Sequence, residues 1–198
     1  LDEAPSGAFP FGVAAGDPTF DAVLLSVRTR EPSVTVIVVH GVDGGWTEVD
    51  RRDGLTPVDG VVQIEVGGLE HDAAYRYAFL TADGARRSRP GRFRTALVAG
   101  GLRKLVIGAT SCLGSENPTF PSLLDAAKQD VDVMLLLGDT VYADGAVTVD
   151  DYRAVWDEAL SVESVRALFA STGLVATWDD HEVANNWTTG EGSEVRSH

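Results

Sequence analysis

The sequence has little of several residue types, and each shortage limits what the protein can be. Its 198 residues include a single cysteine, Cys112, so no disulfide can form within the chain and cysteine pairing gives no information on the redox compartment. Lysine and arginine number 16 against 30 aspartate and glutamate residues, a net charge of −14. Because binding to a nucleic-acid backbone normally depends on basic residues, this charge argues against such a partner.

Long hydrophobic runs are also missing. No run approaches the roughly 20 apolar residues that a membrane-spanning helix needs, and the stretch LDEAPSGAFPFG lacks the basic and apolar regions of a signal peptide. Hydrophobic residues make up 44% of the chain, which is ordinary for a globular protein of this length. We therefore expect a soluble, folded protein without a transmembrane segment.

The first half of the chain has the pattern of short β-strands separated by turns. In AAYRYAFL, Tyr75, Tyr77 and Phe79 alternate with small or polar residues, which is the period of a strand with one buried face. Glycine-containing segments such as GVDGGW and RRDGLTPVDG read as the loops between strands. Strands at this spacing predict a small β-sandwich, which we place at residues 1–99. The predicted strands are residues 21–29, 33–40, 61–66 and 73–80.

The pattern changes after residues 100 and 101, which are both glycine. LRKLVIGATSC reads as an apolar strand, PTFPSLLDAAKQD has the apolar spacing of a helix, and VDVMLLLGD is typical of a strand covered on both faces. Two helical segments and the strand LVATW follow. Residues 100–198 are therefore predicted to form an α/β unit, so that the fold class is a two-domain combination of a β-sandwich and an α/β part.

Polar side chains with metal-binding chemistry follow the predicted strands of the second part. Ligands of open α/β sheets gather at the carboxyl ends of the strands, so the side chains that follow these strands are expected to converge. Carboxylates, a thiolate and a phenolate together indicate a metal site, with iron among the ions that fit, and a histidine beside it can act as a general acid. The side chains are Cys112 after the first strand, Asp139 and Tyr142 after the second, and Asp180 and His181 after the third.

Purely structural roles for these residues compete with this interpretation. A lone cysteine is often apolar filler, and GDTVY can be an ordinary turn. WDDHE can begin a helix, with Glu182 bonded to backbone N–H groups. That helix start explains one carboxylate, but not two carboxylates, His181 and the following asparagines together, which favours a site. Asp144 and the aspartates at 150 and 151 are instead expected to be solvated loop and helix-start residues.

Four motifs, in this order, resemble one known family. FPFGVAAGDPTFDAVLL, SC, LGDTVYADG and WDDHEVANNW are similar to PhoD-type alkaline phosphatases and phosphodiesterases of the metallophosphoesterase superfamily. The resemblance covers nearly the whole chain, although Thr140 stands where the family often has an aromatic residue. It implies a fibronectin-like or immunoglobulin-like β-sandwich followed by part of an αββα metallophosphoesterase domain.

The resemblance also implies which residues bind metal. Cys112, Asp139 and Tyr142 match positions that hold a ferric ion, Fe³⁺, and Asp139 also faces a second site, usually for Ca²⁺. Other divalent metals are alternatives. Asp180 and Asn185 match further metal contacts.

The reaction implied by the resemblance is hydrolysis of phosphate mono- or diesters by a metal-activated hydroxide, with His181 protonating the leaving oxygen. The protein would be secreted, periplasmic or associated with the cell wall. Relatives continue beyond the point where this sequence stops, so we expect a fragment, or a chain whose missing ligands come from a second chain. The alternative is a non-catalytic β-sandwich for binding or adhesion, attached to a degenerate α/β piece.

Overall fold

The computed structural model describes residues 2–3, 7–42, 44–114 and 119–188. None of the helices in these ranges is both long and apolar enough to cross a membrane. The strands are β1 (Asp2–Glu3), β2 (Val13–Gly16), β3 (Ala22–Arg28), β4 (Val34–Val42), β5 (Gly45–Leu55), β6 (Val61–Gly67), β7 (Ala74–Thr81), β8 (Arg86–Arg87), β9 (Gly91–Arg94), β10 (Ile107–Thr110), β11 (Val133–Leu137) and β12 (Gly173–Thr177). The helices are α1 (Pro121–Ala126), α2 (Val149–Ser161), α3 (Glu163–Ser171) and a short 3-10 helix (Asp180–Glu182).

The first half of the chain forms a β-sandwich, as its sequence predicts. One sheet has the strand order β1-β8-β7-β4-β5, with β9 also paired to β7, and the opposing layer contains β2, β3 and β6. Tyr75, Tyr77 and Phe79 of β7 are buried in the core together with Leu25 of β3. The alternation seen in AAYRYAFL therefore does mark a strand with one face against the core.

The hairpin of β4 and β5 differs from the prediction in its length. Gly41 pairs with Trp46 and the ladder continues to Leu55, so the first five residues of RRDGLTPVDG lie in β5 rather than in a loop. Two register shifts interrupt this ladder. Because β5 is an edge strand, its charged residues and irregular pairing hinder further strand addition, and these same residues make its sequence look like a loop.

The two halves of the chain share one sheet. Its strand order is β10-β11-β12-β2-β3-β6, so the sandwich strands continue directly into those of the second half. β12 runs parallel to β2, with Gly173 opposite Ala15. A Cβ on Gly173 would lie 2.9 Å from Cγ of Pro18, so glycine allows the strand to begin there. The domain limit between residues 99 and 100 stays a prediction.

The second half contains parallel strands with helices on one face. β11 pairs in parallel with both β10 and β12. Met134 and Leu136 of β11 belong to a buried cluster with Leu168 of α3. On the other face, Ile107 and Leu137 are 55% and 50% exposed. The prediction that β11 is covered on both faces is therefore wrong within the part of the chain that the structure describes, because the helices all lie on one side.

Candidate metal centre

Three strand ends lie together at the carboxyl edge of the parallel strands. Cys112 follows β10, Asp139 follows β11, and β12 leads through two residues into the 3-10 helix that contains Asp180 and His181. One ligand atom from each of Asp139, Asp180 and His181 lies within 4.8 Å of the others. The sheet therefore brings Asp139 together with His181, which lies 42 residues further along the sequence.

Asp139 is the central residue of this cluster. Its Oδ2 lies 3.4 Å from Sγ of Cys112 and 3.5 Å from the hydroxyl of Tyr142. Its Oδ1 lies 3.4 Å from the backbone nitrogen of His181. Asp139 is buried, whereas Cys112 and Tyr142 are exposed, so the carboxylate lies behind two side chains that face outwards.

The asparagine pair follows the 3-10 helix that carries Asp180 and His181. Asn185 is exposed and follows the 3-10 helix, and its role as a metal contact stays a prediction. Its neighbour Asn186 instead contacts the cluster through the backbone, because its N–H donates to a carboxylate oxygen of Asp180. Asn186 has a φ of 59°, a left-handed conformation that asparagine tolerates better than most residues.

Two of the site residues have strained backbones. Cys112 and Asp139 have φ values of 56° and 53°, in the left-handed region that costs a residue with a side chain about 1–2 kcal/mol. The two turns hold each other in this conformation: the N–H of Cys112 donates to the carbonyl of Gly138 at 3.3 Å, and that of Leu113 donates to the carbonyl of Asp139 at 2.8 Å. Such strain persists where the surrounding structure enforces it, and it is found often at functional sites.

Glu182 joins two of the strand ends through backbone hydrogen bonds. Its carboxylate accepts from the N–H groups of Asp139 at 2.9 Å and Thr140 at 2.5 Å. It also accepts from the N–H of Asp179 at 2.8 Å, within a capping box at the start of the 3-10 helix. The helix-start interpretation of WDDHE is therefore confirmed, and the same glutamate also fixes the turn that carries Asp139, whereas the role of the motif as a site stays a prediction.

Asp144 orients the ring of His181. Its two carboxylate oxygens lie 2.8 and 3.0 Å from Nδ1 of His181, and the ring of Tyr142 stacks on the imidazole with centroids 4.2 Å apart. The hydrogen bond to Asp144 raises the pKa of His181 above its ordinary value. Asp144 is an exposed turn residue, as predicted, but its pairing with His181 was not foreseen from the sequence.

The charges of the cluster favour a cation. Burial, followed by the nearby Asp139 and Cys112, raises the pKa of Tyr142. No lysine or arginine among the described residues forms an ion pair with Asp139 or Asp180. A bound cation would compensate these negative groups and favour the phenolate form of Tyr142. The donor set therefore fits a metal ion better than it fits a structural salt bridge.

Comparison with known families agrees with this geometry. The family model described as PhoD-like phosphatase, N-terminal domain, matches residues 2–97, and the one described as PhoD-like phosphatase matches residues 105–197. Together they match nearly all of the chain. The chain therefore belongs to the PhoD-like phosphatase family, as the resemblance of its motifs predicts.

Individual relatives lead to the same family. Alkaline phosphatase D of Bacillus subtilis (strain 168) is 28% identical over 222 aligned positions, which cover 94% of this chain and 38% of the relative. A solved structure described as "Structure of PhoD" superposes with a TM-score of 0.83 at 25% identity, covering 100% of this chain and 44% of that chain. The chain thus spans about two-fifths of the length of the curated relative that it matches.

Proposed function

We propose that this chain supplies part of the active site of an enzyme that hydrolyses phosphate mono- or diesters. The observation that carries the proposal is the cluster of Asp139, Asp180 and His181, whose ligand atoms lie within 4.8 Å of one another at the strand edge. Membership of a phosphatase family supports the reaction class. The cluster supports a metal-dependent reaction, because carboxylates that no lysine or arginine neutralises suit a cation.

The residues around Asp139 fit the metals that the family resemblance implies. Cys112 and Tyr142 both approach the same carboxylate oxygen, and a thiolate, a phenolate and a carboxylate together suit Fe³⁺. Oxygen ligands from Asp139, Asp180 and Asn185 suit Ca²⁺. When bound, such ions lower the pKa of water and neutralise charge on phosphoryl oxygens.

His181 is proposed as the acid that protonates the leaving oxygen. Asp144 occupies Nδ1 of the ring, which leaves Nε2 as the nitrogen that can donate a proton to a substrate. The raised pKa keeps the imidazole protonated to a higher pH, the state that a general acid needs. Asp144 and the stacked ring of Tyr142 position this group, and Glu182 positions the turn that carries Asp139.

The wider setting is proposed from the same family. We assign residues 1–99 to the β-sandwich and residues 100–198 to part of an αββα metallophosphoesterase domain. The uncovered apolar face around Ile107 and Leu137 supports a further layer that packs there. A second chain as a source of further ligands, and a location outside the cytoplasm, rest on the family resemblance.

The decisive experiment measures metal and activity in matched variants. The chain is purified without chelator, loaded with Fe³⁺ and Ca²⁺, and analysed for bound metal and for hydrolysis of nitrophenyl mono- and diesters. Asp139→Asn should lower metal retention at least about 100-fold, since it removes the central charged ligand. Asp125→Asn, on the exposed surface of α1, is the control and should retain metal as the wild type does.

The absorption spectrum provides an independent measurement. Iron bound by Tyr142 should give a visible charge-transfer band that Tyr142→Phe removes. Full metal retention by Asp139→Asn would contradict the assignment of this cluster. A wild-type chain that neither binds metal nor hydrolyses phosphoesters would favour the non-catalytic binding module.

A further inference from the structure

A groove lies on the outer face of the sandwich, on the sheet that contains β4 and β7. It encloses about 280 Å³ and is lined mainly by apolar side chains, including Ile37, Val39 and Leu80. Ile37 and Val39 alternate along β4 with valines that face the core, so they point away from it. The groove is thus an apolar surface that the sandwich does not use for its own packing.

An arginine lies at this groove on an exposed aromatic ring. The guanidinium carbon of Arg76 is 4.4 Å from the ring centroid of Trp46, which is 51% exposed. Among the residues that the structure describes, Arg76 forms no ion pair with a carboxylate. Stacking restricts the guanidinium and leaves its N–H donors available for an anion.

A second cavity extends the groove and is lined by further basic residues. It encloses about 510 Å³ and shares Arg76 and Pro90 with the first. Its lining includes Arg89, Arg92 and Lys128. Arg89 pairs with Glu163, which also lines this cavity, and Lys128 pairs with Asp125. In a chain with a net charge of −14, this surface concentrates positive charge.

We propose that this groove binds an amphiphilic oxyanion, a ligand with an aliphatic body and a phosphate-like or carboxylate head. The apolar side chains of β4 and β7 would bury the body, while Arg76 would pair with the head. A small inorganic anion would make no contact with the apolar side chains, and a neutral amphiphile would not pair with the charge of Arg76. The site lies on the sandwich, so it is independent of the proposed hydrolysis.

Isothermal titration calorimetry with octylphosphonate tests the proposal on the whole chain. A phosphonate is chosen because its carbon–phosphorus bond resists phosphoester hydrolysis, and chelator is added so that metal does not bind the head group. Arg76→Ala should weaken binding at least about 10-fold through loss of the paired charge. Arg52→Ala, on the neighbouring β5 but paired with Asp50, is the matched control and should bind within about 2-fold of wild type.

Two further variants test whether the groove itself, rather than the metal cluster, holds octylphosphonate. Ala78→Phe places a ring in the groove and should abolish binding, with circular dichroism to check the fold. Asp139→Asn should bind octylphosphonate as the wild type does, because it changes only the strand-end cluster. If Ala78→Phe does not fold, the comparison of Arg76→Ala with Arg52→Ala still tests whether octylphosphonate binds at this groove.

Several outcomes would overturn the proposal. One is that the wild type does not bind octylphosphonate, and another is that Arg76→Ala binds it as tightly as the wild type does. A third is that the wild type binds inorganic phosphate, or the neutral amphiphile octyl glucoside, as tightly as it binds octylphosphonate. Binding to anionic phospholipid vesicles without binding of soluble octylphosphonate would also overturn it, since the surface would then recognise a membrane rather than a single ligand.

Discussion

The sandwich and the strand-end cluster of the α/β half differ in how much each contributes to the stability of the fold. In the sandwich, Phe79 and Leu25 are fully buried among apolar neighbours. In the cluster, Cys112 and Asp139 adopt left-handed backbones, and the carboxylates of Asp139 and Asp180 lie close together without a lysine or arginine partner among the described residues. The difference indicates that the sandwich provides stability that the cluster does not provide for itself.

The two regions are nevertheless connected by strand pairing and by side-chain hydrogen bonds, in addition to the chain that links them. β12 pairs with β2 of the sandwich, and Arg92 of β9 donates to backbone carbonyls of Gln129 and Ser171, which follow α1 and end α3. Arg103, in the segment between β9 and β10, pairs with Asp132, which precedes β11. Loss of packing in the sandwich should therefore affect the cluster, whereas changes within the cluster should leave the sandwich intact.

The largest expected effect comes from the sandwich core. Phe79→Ala removes a fully buried ring and should lower the free energy of unfolding by about 3–5 kcal/mol, measured by urea denaturation. Val58→Ala, at a side chain that is 75% exposed, is the control and should change it by less than about 0.5 kcal/mol. A loss below about 1 kcal/mol for Phe79→Ala would show that the sandwich is not the stable region.

Glu182 should connect stability with metal binding. Glu182→Ala leaves the N–H groups of Asp139 and Thr140 without their acceptor, which should cost about 1–3 kcal/mol in unfolding free energy. Metal retention should fall about 10-fold or more, since the turn that carries Asp139 loses its support. Glu65→Ala, on the exposed face of β6, should change neither quantity. Unaltered metal retention in Glu182→Ala would show that this glutamate caps the 3-10 helix but does not support metal binding.

Asp132 should make the junction between the regions sensitive to acid. The hydrogen bond from Arg103 lowers the pKa of Asp132, so its contribution is present above the ordinary aspartate pKa of about 3.9 and is lost as the pH falls through the lower folded-state value. Asp132→Asn should cost about 1–2 kcal/mol at neutral pH and less at acidic pH. Urea denaturation of the wild type and of Asp132→Asn, between neutral and acidic pH, measures this difference in unfolding free energy.

An exposed ion pair serves as the control for Asp132. Asp53 pairs with Arg51 on β5, and Asp53→Asn should cost clearly less unfolding free energy than Asp132→Asn at neutral pH, because solvent screens the exposed pair. A cost of Asp132→Asn that stays constant as the pH falls would show that charge is not the source of its effect.

The smallest stability effect should come from Cys112. Cys112→Ala and Cys112→Gly both remove the thiol and should lose iron equally. Because the position has a φ of 56°, the glycine variant should be about 1 kcal/mol more stable than the alanine variant. Thermal unfolding and iron analysis of the two variants measure these effects. Equal stability of the two variants would contradict backbone strain at this position. Retention of iron by both variants would indicate that Cys112 is apolar filler rather than a ligand.

Local patterns in the sequence predicted much of the fold. The alternation of Tyr75, Tyr77 and Phe79 and the apolar run before Asp139 each report on a single strand, and both strands form. The same local view misjudged β5, because the charges that protect an edge strand resemble those of a loop. It also misjudged the coverage of β11, since which faces of a strand are covered depends on elements far away in sequence.

The sequence by itself determined the family and the identity of the polar residues at each strand end. Only the tertiary structure decided that Glu182 fixes the turn of Asp139, that Asp144 binds His181, and that Arg76 stacks on Trp46. These contacts join separate elements, and their partners are set by sheet register and turn geometry rather than by any local period. That is why motifs could indicate the candidate site residues, while the fold was needed to show which residues hold them in place.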